Sequence, residues 1–141
     1  NKGSSFVVTS FKPSNPGQYG RLITEGEIVK EIVEFKDLLP TQEKFNLCNS
    51  GIIAARTKDI KKLIPKINNK NKNGEYYLTD LVKLGSQESL RTTMIEVKEE
   101  EVVGINSPLE LSIAEEIMQN LLRKKMLENG VKLIDAKTIY F

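Results

Sequence analysis

Residues 6–55 hold four runs of β-branched and aromatic side chains, separated by loops rich in Pro, Gly and Asn. A chain that begins this way has to build a sheet, because such side chains fit a pleated surface and lose rotamer freedom in a helix. Phe6 to Phe11 reads as a strand. Lys12 to Gly20 contains Pro13, Pro16, Gly17 and Gly20 and reads as a loop. Arg21 to Thr24 and Ile28 to Val33 flank Glu25-Gly26-Glu27, the pattern of a hairpin. A polar loop from Asp37 to Asn46 leads into Leu47 to Ala55, expected as a buried strand.

Short helical patterns then alternate with strand patterns. Thr57 is placed to cap a helix carrying Ile60, Leu63 and Ile64, which Pro65 ends. Residues 66–74 are rich in Lys and Asn and have no period, as a solvated loop does. Their three lysines, with no aromatic residue between them, make a poor phosphate or nucleic-acid patch. Leu78 to Leu84 predicts a short helix entered through Thr79, and Arg91 to Val97 a further strand. Ser107, Pro108 and Glu110 take the N-cap, first and third positions of the clearest helix. Its apolar residues Leu109, Ile113, Ile117, Leu121 and Leu122 form a stripe expected to face a core. Gly130 predicts its end, and Val131 to Ile134 a last short strand. Strands alternating with short helices imply an α/β sheet with mixed pairing.

The composition bounds what such a fold can do. The 141 residues amount to one ordinary domain, and 39% of them are apolar, enough for a core without staples. A net charge of +2 gives no basic excess of the kind a nucleic-acid surface shows, so no nucleic-acid partner is expected. No apolar run is long enough to span a bilayer, so no membrane partner is expected either. The single cysteine, Cys48, fits a reducing, cytoplasmic location. The chain has no His, which excludes imidazole acid–base chemistry and the commonest zinc ligand. A nucleotide-binding α/β sheet normally opens with a strand and a Gly-rich turn into a helix N-terminus, and no such turn is found.

Five short segments in this order carry a family resemblance. They are Tyr19-Gly20-Arg21, Ile32-Val33-Glu34-Phe35-Lys36-Asp37, Asn49-Ser50-Gly51, Gly74-Glu75-Tyr76-Tyr77-Leu78-Thr79-Asp80 and Val103-Gly104-Ile105-Asn106. From about Phe6 onward the chain resembles the uridyltransferase domain of the bacterial bifunctional N-acetylglucosamine-1-phosphate uridyltransferase / glucosamine-1-phosphate acetyltransferase family. The family usually has Gly-Tyr-Gly where Gln18 precedes Tyr19, which puts the shape of that loop in question.

The resemblance implies the C-terminal, sugar-binding half of a Rossmann-like nucleotide-diphospho-sugar transferase domain, occupying residues 1–141, with a mixed β-sheet. The family joins UTP to N-acetylglucosamine 1-phosphate, with Mg²⁺, to give UDP-N-acetylglucosamine and pyrophosphate. By the same resemblance the backbone of Gly20 and the side chains of Glu34 and Asn49 hold the sugar, and Tyr77 and Thr79 line its cleft. Asn106 contacts the nucleotide sugar and ligates Mg²⁺. Each residue type suits that role: Gly admits close approach, carboxylate and amide bond hydroxyls, and an Asn carbonyl is a hard ligand. Each also has a plainer reading, with Gly20 serving a turn, Glu34 a solvated strand end, Asn49 a bulge and Asn106 a second cap beside Ser107.

The family's Gly-rich loop and metal-binding Asp are expected to lie outside these residues. The chain is therefore expected to be inactive alone and to need Mg²⁺ only when that half is supplied. A half-sheet is also expected to leave an unpaired edge, and so to recruit a complementary chain or a second copy. The alternative is a non-catalytic remnant or interaction module of the same fold.

Overall fold

In the computed structural model, which describes residues 3–105 and 107–141, the chain divides into two compact units, Asn1–Val102 and Val103–Phe141. The first holds strands β1 (Phe6–Phe11), β2 (Arg21–Glu25), β3 (Ile28–Val33), β4 (Cys48–Ala55) and β5 (Thr92–Glu96), with helices α1 (Thr57–Leu63) and α2 (Asp80–Gln87). The second holds helix α3 (Pro108–Glu128).

The β2–β3 hairpin forms where the apolar runs and Glu25-Gly26-Glu27 place it. Gly26 has φ +59°, the left-handed conformation that a tight turn needs and a Cβ disfavours. The strand order is β1-β4-β2-β3-β5, and β5 returns to β1 to close a ring. Pairing is mixed, as expected: β1 and β5 run parallel and the other neighbours antiparallel. The expected unpaired edge is absent from this ring. The reason is the long β1–β5 ladder, Phe6↔Thr92 to Ser10↔Glu96, which turns the outer strands toward each other. The junction of β3 with β5 rests on one residue pair, Ile28↔Thr93.

Two apolar clusters hold this unit. Val8, Leu22, Val29 and Ile32 of the strands pack on Val82 of α2, and Phe6 packs with Leu63 of α1 and Leu81 of α2. Burying one such side chain fully contributes roughly 1.5–3 kcal/mol, so the two helices are fixed by what they cover. Leu47 to Ala55 is only partly the buried strand expected, since burial is confined to Cys48 and Asn49. Thr57 does not cap α1. Arg56 holds the N-cap position and Thr57 is already helical, because the chain is still extended at Arg56.

In the second unit Ser107 caps α3 by accepting the Glu110 N–H at 3.2 Å. At the other end the Val131 N–H reaches the Met126 carbonyl and the Gly130 N–H the Leu127 carbonyl. That pair of bonds satisfies the last turn and lets Gly130 stop the helix. No strand forms at Val131 to Ile134, because a strand needs a ladder partner and this unit offers none among the described residues. The C-terminus instead folds onto α3, where the Gln119 side chain bonds both the N–H and the carbonyl of Phe141. The apolar stripe of α3 does not face a core: Leu109 is 72% exposed, and Ile113 and Leu121 are exposed as well.

Candidate functional site

Gly20 stands immediately before β2, Glu34 immediately after β3, Asn49 near the start of β4 and Thr79 at the N-cap of α2. The fold brings these four together. The Asn49 N–H donates to the Gly20 carbonyl at 2.9 Å, stitching β4 to the entry of β2. A Cβ on Gly20 would lie 3.3 Å from Glu34 Oε2 and 3.3 Å from the Val33 carbonyl. Gly20 is therefore a close-approach glycine, where a Cβ would press the end of β3 and the Glu34 carboxylate back by a few tenths of an ångström. Thr79 Oγ1 donates to Glu34 Oε1 at 2.7 Å. The hydroxyl is used there and makes no cap bond to α2. Asn49 Oδ1 accepts the Gly51 N–H at 3.2 Å, which leaves its side-chain NH₂ as a donor.

The loop before Gly20 is shaped by Arg21. Its buried guanidinium donates to the carbonyls of Tyr19, Pro16 (3.3 Å) and Gly17 (3.2 Å). Tyr19 packs edge-on against Phe11, with ring centroids 4.8 Å apart. The loop thus has a defined shape with Gln18 in it.

Glu34 also lines a cleft of about 510 Å³ together with Asp37, Asn71, Tyr77, Asp80 and Lys83. Tyr77 Oη accepts from Asn73 Nδ2 at 2.8 Å. Its phenol is pushed above the ordinary tyrosine value by lost solvation first and by the Asp37 carboxylate second. Asp80 is raised by burial first. Lys83 opposes this, and the carboxylates of Glu31, Glu34 and Asp37 add to it. The cleft therefore offers carboxylate acceptors and phenol and amide donors, groups that can bond the hydroxyls of a polyhydroxylated ligand. Gly20, Asn49 and Thr79 adjoin it through Glu34 and are not among its lining residues.

Asn106 lies outside the described residues. Among the described residues no group of three or more His, Cys, Asp or Glu side chains is placed to hold a metal ion. No helix among them is long and apolar enough to cross a membrane. Reasoning from sequence missed Arg21, Asp37 and the asparagines of the 66–74 loop. The Lys/Asn composition of that loop signals solvation, and no sequence period marks a side chain that bonds backbone two to four residues away.

No protein-family model matches the chain. It is 44% identical over 135 residues to the bifunctional protein GlmU of Paramagnetospirillum magneticum, covering 96% of the chain and 30% of that protein. The chain thus spans about a third of the length of the curated relatives it matches. Among solved structures it is similar to a nucleoside-diphosphate-sugar pyrophosphorylase from Vibrio cholerae, with a TM-score of 0.63 at 18% identity, covering 79% of this chain and 46% of the other. It is also similar to a uridine diphosphate N-acetylglucosamine pyrophosphorylase from Trypanosoma brucei, with a TM-score of 0.55 at 13% identity, covering 95% and 34%. These two likenesses establish the α/β fold, while the relation in sequence runs through nearly every residue described above. The chain is thus similar, along nearly its whole length, to a segment amounting to about 30% of the bifunctional GlmU proteins.

Proposed function

We propose that this chain supplies the sugar-binding side of a uridyltransferase domain that joins UTP to N-acetylglucosamine 1-phosphate. The supporting observation is the convergence of Gly20, Glu34, Asn49 and Thr79 at neighbouring strand ends, with Thr79 holding one carboxylate oxygen of Glu34 at 2.7 Å. That bond fixes the Glu34 side chain and leaves Oε2 to accept a sugar hydroxyl. The Asn49 NH₂ and the Tyr77 hydroxyl are further donors that a sugar could use. Asn106 would complete the set as a contact to the nucleotide sugar and as the chain's Mg²⁺ ligand. When bound, that ion would neutralise charge on the phosphates.

The chemistry is the in-line attack of a sugar-phosphate oxygen on the α-phosphorus of UTP, with pyrophosphate leaving. Such transfer depends chiefly on positioning and charge stabilisation. The residues of this chain would orient the attacking group. Four hydrogen bonds to the sugar contribute about 2–6 kcal/mol. Association costs on the order of 4–15 kcal/mol. The chain alone should therefore bind sugar nucleotide at millimolar strength or weaker, and turnover should require the nucleotide-binding segment.

The test joins this chain to the preceding segment of the Paramagnetospirillum relative and measures pyrophosphate release from UTP and N-acetylglucosamine 1-phosphate. Release is expected. Glu34→Ala should raise KM for the sugar phosphate about tenfold or more and leave KM for UTP unchanged. A folded fusion without pyrophosphate release, or a Glu34→Ala variant with unchanged kinetics, would overturn the proposal.

A further inference from the structure

The Lys/Asn-rich segment between α1 and α2 is a built wall. Asn71 Oδ1 accepts the N–H groups of Asn73 and Glu75, both at 3.1 Å, and its Nδ2 donates to the Glu75 carbonyl at 2.5 Å. The Gly74 N–H returns to the Asn71 carbonyl at 3.1 Å. One end of this knot is tied to the sheet, where Asp37 Oδ1, just after β3, accepts the Lys72 N–H at 3.0 Å. The other end is tied to the cleft, where Asn73 donates to Tyr77 Oη at 2.8 Å. Asp37, Asn71 and Tyr77 line the same cleft as Glu34. A side-chain amide that satisfies three backbone groups replaces the bonds a helix or strand would give, so the segment is ordered without a period.

We infer that Asp37, Asn71 and Asn73 are positioning residues, which hold the phenol of Tyr77 opposite Glu34 and so set how tightly the cleft takes a sugar phosphate. This rests on the sugar-site reading above and assigns its second wall. Because Asn73 donates to Tyr77 Oη, the phenolic proton is directed elsewhere and is left for a ligand acceptor. The Asp37 carboxylate acts in two ways. It anchors Lys72, and its charge adds to lost solvation in raising the Tyr77 phenol above the ordinary tyrosine value.

The test uses this chain, labelled for NMR at the tyrosine ring carbons and backbone amides, with N-acetylglucosamine 1-phosphate added to tens of millimolar. In the wild type, shifts are expected at Glu34 and Tyr77. Asp37→Ala should speed hydrogen exchange at Lys72, lower the midpoint of the Tyr77 ring titration and weaken sugar-phosphate binding about five- to tenfold. Asp37→Asn keeps an acceptor for Lys72 and should restore the exchange protection and most of the affinity, but not the titration midpoint. Asn73→Ala should weaken binding similarly while leaving Lys72 protected. Absence of shifts at both Glu34 and Tyr77 in the wild type would sink the sugar-site reading and this inference with it. Shifts at Glu34 together with unchanged affinity in Asp37→Ala and Asn73→Ala would sink this inference alone.

Discussion

Thr79 occupies the position of a helix cap and performs a different task, and the difference can be measured. Its hydroxyl donates to Glu34 at 2.7 Å and makes no cap bond to α2. Replacing it by Val keeps the side-chain shape and strips the carboxylate of that donor, at a site where Thr79 itself is buried. A hydrogen bond to a charged group is worth about 1.5–3 kcal/mol. A lost N-cap costs about 0.5–2 kcal/mol, so size alone does not separate the two roles. A double-mutant cycle does. Thr79→Val is made in the wild type and in Glu34→Ala, and urea unfolding is followed through the NMR signals of β1 so that only the first unit is read. If the hydroxyl serves Glu34, Thr79→Val destabilises the wild type by about 1.5–3 kcal/mol and costs little once Glu34 is gone. Thr79→Ser should stay close to wild type in both backgrounds. Equal costs of Thr79→Val in the two backgrounds would show a capping role and refute the argument.

Two further outcomes follow from packing and charge. A Cβ at Gly85 would sit 3.1 Å from the fully buried Phe6 ring, so Gly85→Ala should lose about 1–3 kcal/mol to overpacking. The gain of about 1 kcal/mol in helix propensity offsets only part of this, and the urea midpoint should fall. Glu88 is ion-paired with Lys62 and with Lys66, and these two ammonium groups hold its carboxyl below the ordinary glutamate range. A depressed folded value means stability that is present above the unfolded value and lost as pH falls through the folded one. Unfolding midpoints should therefore drop less between neutral and strongly acidic pH in Glu88→Gln than in the wild type.

The strands were legible because their signals are local. β-branched runs broken by Gly and Pro placed β1 to β5 within one or two residues, and Ser107-Pro108 placed α3. Two kinds of feature were hidden. Ring closure depends on Thr92 to Glu96 finding Phe6 to Ser10, a pairing no local pattern encodes. The same holds for Val131 to Ile134, whose composition suits a strand but which has no ladder to join. The site was legible only in part. The family resemblance pointed to Gly20, Glu34, Asn49 and Thr79, and the fold gathers them. It assigned no role to Arg21 or Asp37, though both lie in segments that carry it, because a guanidinium bonded to three carbonyls and a carboxylate bonded to a backbone N–H resemble ordinary surface charges in a sequence.

The parallel ladder between β1 and β5 sets a timetable for synthesis. Ser10 donates its hydroxyl to the Ile95 carbonyl across 85 residues of sequence. Translation at about 5–20 residues per second separates the appearance of these two strands by roughly 4–17 s. During that interval β1 can pair with β4 but has one bare flank, and the β2–β3 hairpin can form but has no β5 to meet. A nascent chain of this kind exposes a sticky strand for seconds, long enough for a chaperone to bind or for two chains on neighbouring ribosomes to pair wrongly. Slower decoding just after Glu96 would give the ring time to close before α3 emerges.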